Sequence, residues 1–328
     1  MHFITGGLKG TTFDVLEAHA NVPPIDLLFC KVQLSTVTQI CALPHNHPLA
    51  PSAWWAANQF VNKHRSLLHY LFHLMQLNPT STEYTPPAHK HPFYIPSFTS
   101  RISPTKEIAL ELAQKAHHKL KFKAYSDGLV LDSGVGAAAI LYKNDKVLKV
   151  RRVYLGTAAE HMIFKAKLVG ILLVLSLLTA LSCQLLSSTL IGLNSQATIK
   201  ALNEQSYKLS QYLLDHIHDA AEKLQVKQDK LQNAVEYHMA RRSGNPIMAN
   251  TWGVVELKLQ WVPGHIDFTP NKKADINTKK AVKGNSSPNN LLLKALRRAL
   301  PYSISVIFQA KRLLIHHRWI HQWKVSSR

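Results

Sequence analysis

One histidine and one aspartate near the end of a strand-like segment have the types and spacing suited to phosphodiester chemistry. Leu259–Trp261 is strand-like, and the Pro-Gly turn that follows at 262–264 presents His265. Asp275 lies ten residues further on, within a stretch that the sequence predicts to be helical. A carboxylate on a rigid helix suits a Mg²⁺ ligand, and a histidine on a turn suits proton transfer or product release.

A second aspartate lies far upstream, where residues 124–128 read Ala-Tyr-Ser-Asp-Gly. Together with the Trp-Val-Pro-Gly-His turn, this motif resembles the type 1 ribonuclease H (RNase H) domain found at the C-terminal end of non-LTR, LINE-like retrotransposon polyproteins. The resemblance covers about 121–283. It implies an α/β, RNase H-like fold with a mixed five-stranded sheet flanked by helices. It also implies catalytic roles for Asp127, His265 and Asp275.

The predicted elements follow one another in the order that this resemblance implies. Strands are predicted at about 121–127, 135–142, 146–154, 189–193 and 254–262, and helices at 159–184, 195–204, 211–241 and 270–282. A capping box, Thr157 to Glu160, is expected to open the long helix. This helix is apolar on every side, as expected of a helix packed on a sheet, and its apolar run falls short of the ~20 residues that span a bilayer. A membrane protein anchored by 168–186 is therefore a remote alternative.

Two positions depart from the metal-binding carboxylates that the resemblance implies. Lys167 stands where the motif has a Glu, and Asn194 stands where it has an Asp. Two unit charges near 4 Å interact by about 4 kcal/mol, and an ammonium at a cation site repels the incoming ion. Mg²⁺ or Mn²⁺ is therefore expected to bind weakly to the remaining ligands, Asp127 and Asp275. The sequence thus favours a catalytically impaired nucleic-acid-binding domain. An active metal-dependent RNA–DNA hybrid ribonuclease is the alternative.

The departures share a mutational pattern. Lys165, Lys167 and Lys272 in place of Glu, and Asn194 in place of Asp, can each arise from a single G-to-A change in the coding strand. This bias is typical of a transposon copy that is decaying by mutation.

The charge of the chain indicates a polyanionic partner. Lys and Arg number 39 against 19 Asp and Glu, a formal charge of +20, and no acidic residue follows Asp275. RNA–DNA hybrid or duplex is the simplest such partner. The predicted nucleic-acid contacts are Lys223, Lys227, Lys230, Arg241, Arg242, Arg297, Arg298, Lys311 and Arg312.

Two of these stretches leave an alternative open. Acidic residues are interleaved with the bases in the predicted helix 211–241, so an exposed, salt-bridged helix explains it equally well. Trp319 and Trp323 lie one helical turn apart, and they suit either stacking on bases or packing against the protein.

Composition divides the chain into four predicted segments. These are a helical region (1–79) resembling the part that follows a reverse-transcriptase domain, a Pro-rich linker with a helix (80–118), the RNase H type 1-like domain (119–285) and a basic tail (286–328). The three cysteines are too few and scattered for a disulfide framework, and no secretory signal is evident, so an intracellular location, nuclear or cytoplasmic, is expected. Cys41, His45 and His47 lie close together, but a Pro-bounded loop explains them better than a zinc site.

Overall fold

The structure, a computed structural model, describes residues 5–59, 61, 63, 66–86, 90–91, 93–181, 188–204, 210–243, 256–264 and 267–325, with the backbone alone for 231–243. The chain forms two compact units. One unit comprises Met1–Thr85 with Pro301–Arg328, and we call it the helical unit. The other comprises Pro86–Leu300, and we call it the α/β unit.

The elements are as follows in chain order. They are α1 (Phe13–His19), α2 (Ile25–Cys41), α3 (Ala50–Asn58), α4 (Leu67–Met75), β1 (Thr99–Arg101), α5 (Lys106–Lys119), β2 (Phe122–Leu131), β3 (Gly134–Lys143), β4 (Lys146–Thr157), α6 (Ile163–Thr179), β5 (Thr189–Leu193), α7 (Gln196–Asn203), α8 (Gln211–Ser243), β6 (Leu257–Trp261), α9 (Thr269–Val282) and α10 (Ile304–Val325). Short 3-10 turns lie at Asn289–Leu291 and Lys294–Leu296.

The sheet of the α/β unit has the order β1-β6-β5-β2-β3-β4. The strands β2, β3 and β4 form an antiparallel meander, whereas β5, β6 and β1 run parallel to β2 and to one another. In the register of this sheet, Ser126 on β2 pairs with Leu193 on β5, and Leu193 pairs with Trp261 on β6. The α/β fold with a mixed sheet and flanking helices, predicted from the sequence, is confirmed.

The strand count needs a correction, because the sheet has six strands instead of five. The additional strand is β1, which pairs with β6 from Thr99↔Lys258 to Arg101↔Gln260. It lies inside the stretch that the sequence predicts to be a linker. A strand of three residues between Pro96 and Pro104 is too short to produce a recognisable alternation of apolar and polar residues.

Helix α6 is the centre of the larger core. Every residue from Leu168 to Leu175 is buried, and the same apolar cluster includes residues of β2, β3 and α8. The helix begins at Ile163, later than predicted, and its N-cap Met162 makes no side-chain capping bond. Glu160 instead accepts a hydrogen bond from the backbone N–H of Thr157 (2.8 Å) in the preceding turn. Within the described part of the chain, no helix has the length and apolar character needed to cross a membrane.

The helical unit has its own apolar core, and the end of the chain belongs to it. The core residues come from α2, α3 and α4, and Phe308 and Ile315 of α10 pack against them. A bridge between Thr82 and Tyr302 joins the two separate parts of this unit. The basic segment predicted as one tail is therefore divided: 301–328 groups with the helical unit and 286–300 with the α/β unit. The sequence does not predict this division, because the apolar residues of α10 that pack on the helical core lie among basic residues.

Candidate active-site cluster

Asp127 lies in the middle of β2, one residue past its last pair with β5, and α6 approaches β2 closely at this point. It pairs with Ala138 across the β2–β3 ladder, and the next residue is Gly128. A Cβ atom on Gly128 would lie only 2.5 Å from the backbone nitrogen of Lys167, so only glycine lets the helix come this near. The Ser-Asp-Gly motif thus places a carboxylate beside the first turns of α6.

Three side chains from three elements close a polar triangle at this point. The Asn194 amide donates to Oδ1 of Asp127 (2.8 Å), and the Lys167 ammonium donates to Oδ1 of Asn194 (2.8 Å). The Lys167 ammonium also lies 3.7 Å from Oδ1 of Asp127, and both of these side chains are mostly buried, at 19% and 9% exposed. The same Asp127 oxygen accepts the backbone N–H of Gly128 (2.7 Å). The cleft lined by these residues has room for little more than one water molecule.

Neighbouring groups offset only part of the free-energy cost of burying the ionised Asp127 carboxylate. Burial raises the pKa of Asp127 above its usual range, and the nearby Asp275 carboxylate adds to the rise. The Lys167 ammonium, the Asn194 amide and the Gly128 N–H all oppose it by stabilising the ionised form. Lys167 is the largest of these opposing influences, so the negative charge of Asp127 depends mainly on an internal cation.

Asp275 lies on α9, which packs against the same part of the sheet. The Thr278 hydroxyl, one turn along, donates to the backbone carbonyls of Ala274 (2.9 Å) and Asp127 (3.3 Å). The Asp275 carboxylate is 36% exposed and pairs with the Lys279 ammonium at 2.8 Å. This hydrogen bond raises the pKa of Lys279. Each of the two carboxylates in the cluster therefore has its own lysine.

The donor set does not fit a pair of divalent cations. Mg²⁺ prefers several oxygen ligands with high negative charge, and two ions in one site need more charge than two carboxylates provide. Here Oδ1 of Asp127 already accepts two hydrogen bonds, and a lysine ammonium lies at each carboxylate. The described residues contain no group of three or more histidine, cysteine or acidic side chains that could hold a metal ion. We therefore derive no catalytic step through a metal.

The predicted histidine, His265, lies outside the described residues. The turn that leads to it is described as far as Gly264, and Val262 donates its N–H to the Leu193 carbonyl (2.8 Å). A Cβ atom on Gly264 would lie 4.0 Å from Cβ of Asn194, so the turn ends beside the polar triangle.

The predicted nucleic-acid contacts are distributed over both units. Lys223, Lys227 and Lys230 are exposed on α8, and Arg297 and Arg298 are exposed in the segment after α9. Lys311 is half-buried and Arg312 is exposed on α10, in the helical unit. The side chains of Arg241 and Arg242 lie outside the described part of α8. The sequence does not predict this distribution, because it places all the basic residues after 286 in one tail.

Several polar residues of the site have no role in the sequence-based predictions. Lys279 is the clearest of these residues, although its position four residues after Asp275 on a helix could have indicated the Asp275–Lys279 ion pair.

The other two lysines at positions where the resemblance implies Glu lie away from the polar triangle. Lys272 pairs with Asp267 (2.8 Å), and Lys165 is fully buried, 5.6 Å from the Tyr212 ring centroid.

The histidine and cysteine group near residue 45 is packed as part of the helical unit. The His45 ring meets Trp54 and Tyr84 edge-on, with centroids 4.9 and 4.4 Å away. Cys41 is buried, and burial raises the pKa of its thiol to about 11. Residues 42–49 lie in turns between α2 and α3, in agreement with the Pro-bounded loop that the sequence predicts.

Comparisons with solved structures match about half of this chain. No protein-family model and no curated protein matches the sequence. Solved structures that resemble it include RNase H1 from the archaeon Halobacterium salinarum (14% identity, TM-score 0.33, 50% of this chain and 98% of that one). Others are the N-terminal RNase H domain of a Mycobacterium tuberculosis protein (14%, 0.34, 51% and 96%) and LC11-RNase H1 in complex with RNA/DNA hybrid (14%, 0.33, 50% and 98%). At 14% identity and TM-scores of 0.33–0.34, these similarities assign neither a family nor an activity to this chain.

The α/β unit agrees in element order with the RNase H-like fold that the sequence resemblance implies. The antiparallel meander β2-β3-β4, the central helix α6 and the parallel strands β5 and β6 follow in the order that the sequence motifs imply. The middle of β2, the start of α6 and the residue that follows β5 meet at the polar triangle.

Proposed function

We propose that the α/β unit binds RNA–DNA hybrid or duplex nucleic acid and is impaired in cleaving it, as a degenerate RNase H domain derived from a non-LTR retrotransposon polyprotein. The observation that carries this proposal is the position of Lys167. Its ammonium lies 3.7 Å from the buried Asp127 carboxylate and donates to Asn194, so a fixed single positive charge stands where a divalent cation would have to bind.

The charge balance of the cluster supports the loss of hydrolysis. Asp127 and Asp275 bring two negative charges, and Lys167 and Lys279 bring two positive ones at 3.7 and 2.8 Å. A site that is neutral without any bound ion offers little attraction to Mg²⁺ or Mn²⁺. An incoming ion would have to displace Lys167 from a mostly buried position before it reached Asp127.

Nucleic-acid binding does not depend on these carboxylates. The formal charge of +20 and the exposed lysines and arginines of both units provide sequence-independent attraction to phosphates. Binding is therefore expected to weaken steeply with salt and to show little sequence preference.

An active metal-dependent hybrid ribonuclease is the second candidate, and one observation favours it. Asp127 and Asp275 are both present and lie near one another. In that case these two side chains would hold Mg²⁺ or Mn²⁺, and His265 would assist proton transfer.

A cleavage assay on labelled RNA–DNA hybrid separates the two candidates. We expect background cleavage by the unmodified chain in Mg²⁺ or Mn²⁺, and measurable cleavage once Lys167→Glu and Asn194→Asp are combined. Each single reversion should do little, because residues that act as one metal-binding unit are strongly non-additive. Hybrid binding by the unmodified chain is measured in parallel, in EDTA. Robust cleavage by the unmodified chain that Asp127→Asn abolishes would show that the second candidate is right.

A further inference from the structure

The long helix α8 carries its charges in two separate rows. Successive residues in an α-helix are turned by ~100°, so Lys223, Lys227 and Lys230 lie along one side. These three exposed side chains form the lysine row. Asp215, Asp219, Glu222 and Asp229 repeat at the same spacing along the adjacent side, and they form the acidic row. Acidic and basic residues that are interleaved in the sequence therefore lie along two adjacent sides of the folded helix.

A segment from the preceding part of the α/β unit contacts the middle of the acidic row. We call this segment, residues 90–91 and 93–98, the strap. The Lys90 ammonium lies 2.8 Å from Oε1 of Glu222 and 3.3 Å from Oδ1 of Asp219. The Tyr94 hydroxyl donates to the same Glu222 oxygen (2.5 Å). One lysine and one tyrosine thus engage two of the four acids.

Aromatic packing fixes the strap in this position. The Tyr94 ring meets the buried His218 ring edge-on at 5.3 Å, and Phe98 stacks on the same ring at 5.4 Å. The Lys90 ammonium lies 4.7 Å from the Tyr94 ring centroid, which adds a cation–π contact. Only 15% of the Lys90 side chain is exposed. Its charge is therefore directed to the acids of α8 and away from solvent.

The strap offsets charge on the acidic row and leaves the charge of the lysine row unchanged. Hydrogen bonds from Lys90 and Tyr94 lower the pKa of Glu222, so the carboxylate stays ionised and bound to the strap. In contrast, Lys223 and Lys230 have no salt-bridge partner among the residues whose side chains are described, and Lys227 reaches only the Thr179 carbonyl, at 3.5 Å. The lysine row keeps its positive charge, while the central acids beside it are compensated in part, because one lysine faces two carboxylates.

We infer that the strap is an electrostatic shield, which compensates Asp219 and Glu222 so that the lysine row can bind a nucleic-acid phosphate backbone without competing repulsion. This inference deepens the proposed function and rests on it. Lys90 is a positioning residue in this arrangement, because it acts through the acids of α8 and does not itself contact nucleic acid. The ligand it serves is the polyanionic backbone of an RNA–DNA hybrid.

A double-mutant cycle on the full chain tests the shield. Binding of a short fluorescent RNA–DNA hybrid is measured by anisotropy in EDTA at low salt. Lys90→Met, which keeps the apolar stem, is expected to weaken binding roughly fivefold because two carboxylates lose their compensation. The matched control is Lys115→Met, which removes a lysine of the same unit that is paired with Glu111 (2.5 Å) and should leave affinity unchanged.

The second arm of the cycle removes the acids. Asp219→Asn with Glu222→Gln should raise affinity in the unmodified chain, because one lysine faces two carboxylates there, and should restore at least the unmodified affinity in the Lys90→Met background. Lys90→Arg keeps the charge and should bind like the unmodified chain. Amide exchange across α8 reports whether each variant keeps the helix.

Several results would overturn the inference. One is equal affinity for the Lys90→Met and Lys115→Met chains. Another is no gain in affinity when the acids are removed from the Lys90→Met chain. A third is a Lys90→Arg chain as weak as Lys90→Met, because this would assign the strap to packing alone. Failure of the unmodified chain to bind hybrid would instead contradict the proposed function.

Discussion

Replacing Lys167 by methionine should destabilise the α/β unit much more than the same change at Lys279. At 3.7 Å and an effective dielectric constant near 20, the Lys167–Asp127 attraction is worth about 4 kcal/mol. Part of this loss is recovered, because methionine needs no desolvation and Asp127 keeps its bonds from Asn194 and Gly128. We therefore expect a net loss of about 2–3 kcal/mol at neutral pH. Lys279 is a solvent-exposed partner of Asp275, and its replacement should have little effect.

The loss should also depend on pH in a defined direction. Asp127 has a raised pKa in the folded chain, and without the Lys167 cation this pKa should rise further. A carboxyl with a raised folded pKa contributes stability below its unfolded pKa and loses that contribution as the pH rises through the folded value. The difference between the Lys167→Met and unmodified chains should therefore be small near pH 3.5 and reach its full size above the raised pKa.

A local measurement suits this chain, because two units need not unfold in one transition. Amide exchange in increasing urea, followed on peptides from β2 and α6, gives the free energy of opening near the cluster. Equal losses of opening free energy for Lys167→Met and Lys279→Met would contradict a special contribution of the Lys167–Asp127 ion pair. A loss at Lys167 that stayed constant down to pH 3.5 would refute the electrostatic origin.

Three further predictions concern packing, acid stability and salt. Gly128→Ala should cost at least about 2 kcal/mol in urea unfolding, because its Cβ would lie 2.5 Å from a backbone atom of α6, whereas Gly264→Ala, with 4.0 Å to its nearest neighbour, should be tolerated. Burial lowers the pKa of three histidines to about 4, namely His117, His161 and His218. The pKa values of these histidines are lower in the folded than in the unfolded chain. The stability present above pH 6.5 should therefore be lost as the pH falls towards 4, by up to about 1.4 kcal/mol per pH unit for each histidine. Constant unfolding midpoints between pH 6.5 and 4.5 would contradict this prediction. Changing the lysine row to glutamine should lower the slope of log affinity against log salt by up to roughly 3 in hybrid titrations, and an unchanged slope would place the phosphate contacts elsewhere.

The sequence predicts the α/β fold well because its signals are local. Asp127 lies between a serine and a glycine in a strand-like stretch, and this short pattern predicts the strand. The predicted end of that strand at residue 127 is wrong, because β2 continues to Leu131. The apolar run of α6 likewise predicts a helix that is buried on all sides. In each case neighbouring residues carry the information, so no knowledge of distant contacts is needed.

Features that depend on distant contacts could not be predicted in the same way. The substitution at Lys167 is visible in the sequence, but its bond to Asn194 requires the ends of α6 and β5 to meet. Strand β1 exists only because β6 offers it an edge to pair with. The strap is hidden for a similar reason, since Lys90 and Glu222 are far apart in the chain and neither lies in a recognisable motif.

The division of the helical unit into two chain segments has a consequence for biosynthesis. Residues such as Leu34 and Val37 form its core early in the chain, but α10, which packs on this core, follows the whole α/β unit. During translation the ribosome must therefore complete the α/β unit before the helical core can close. Until then its apolar face is uncovered, and a premature stop codon within the α/β unit would leave it so permanently. Such truncated products should be prone to aggregation even if they contain every residue of helices α1–α4.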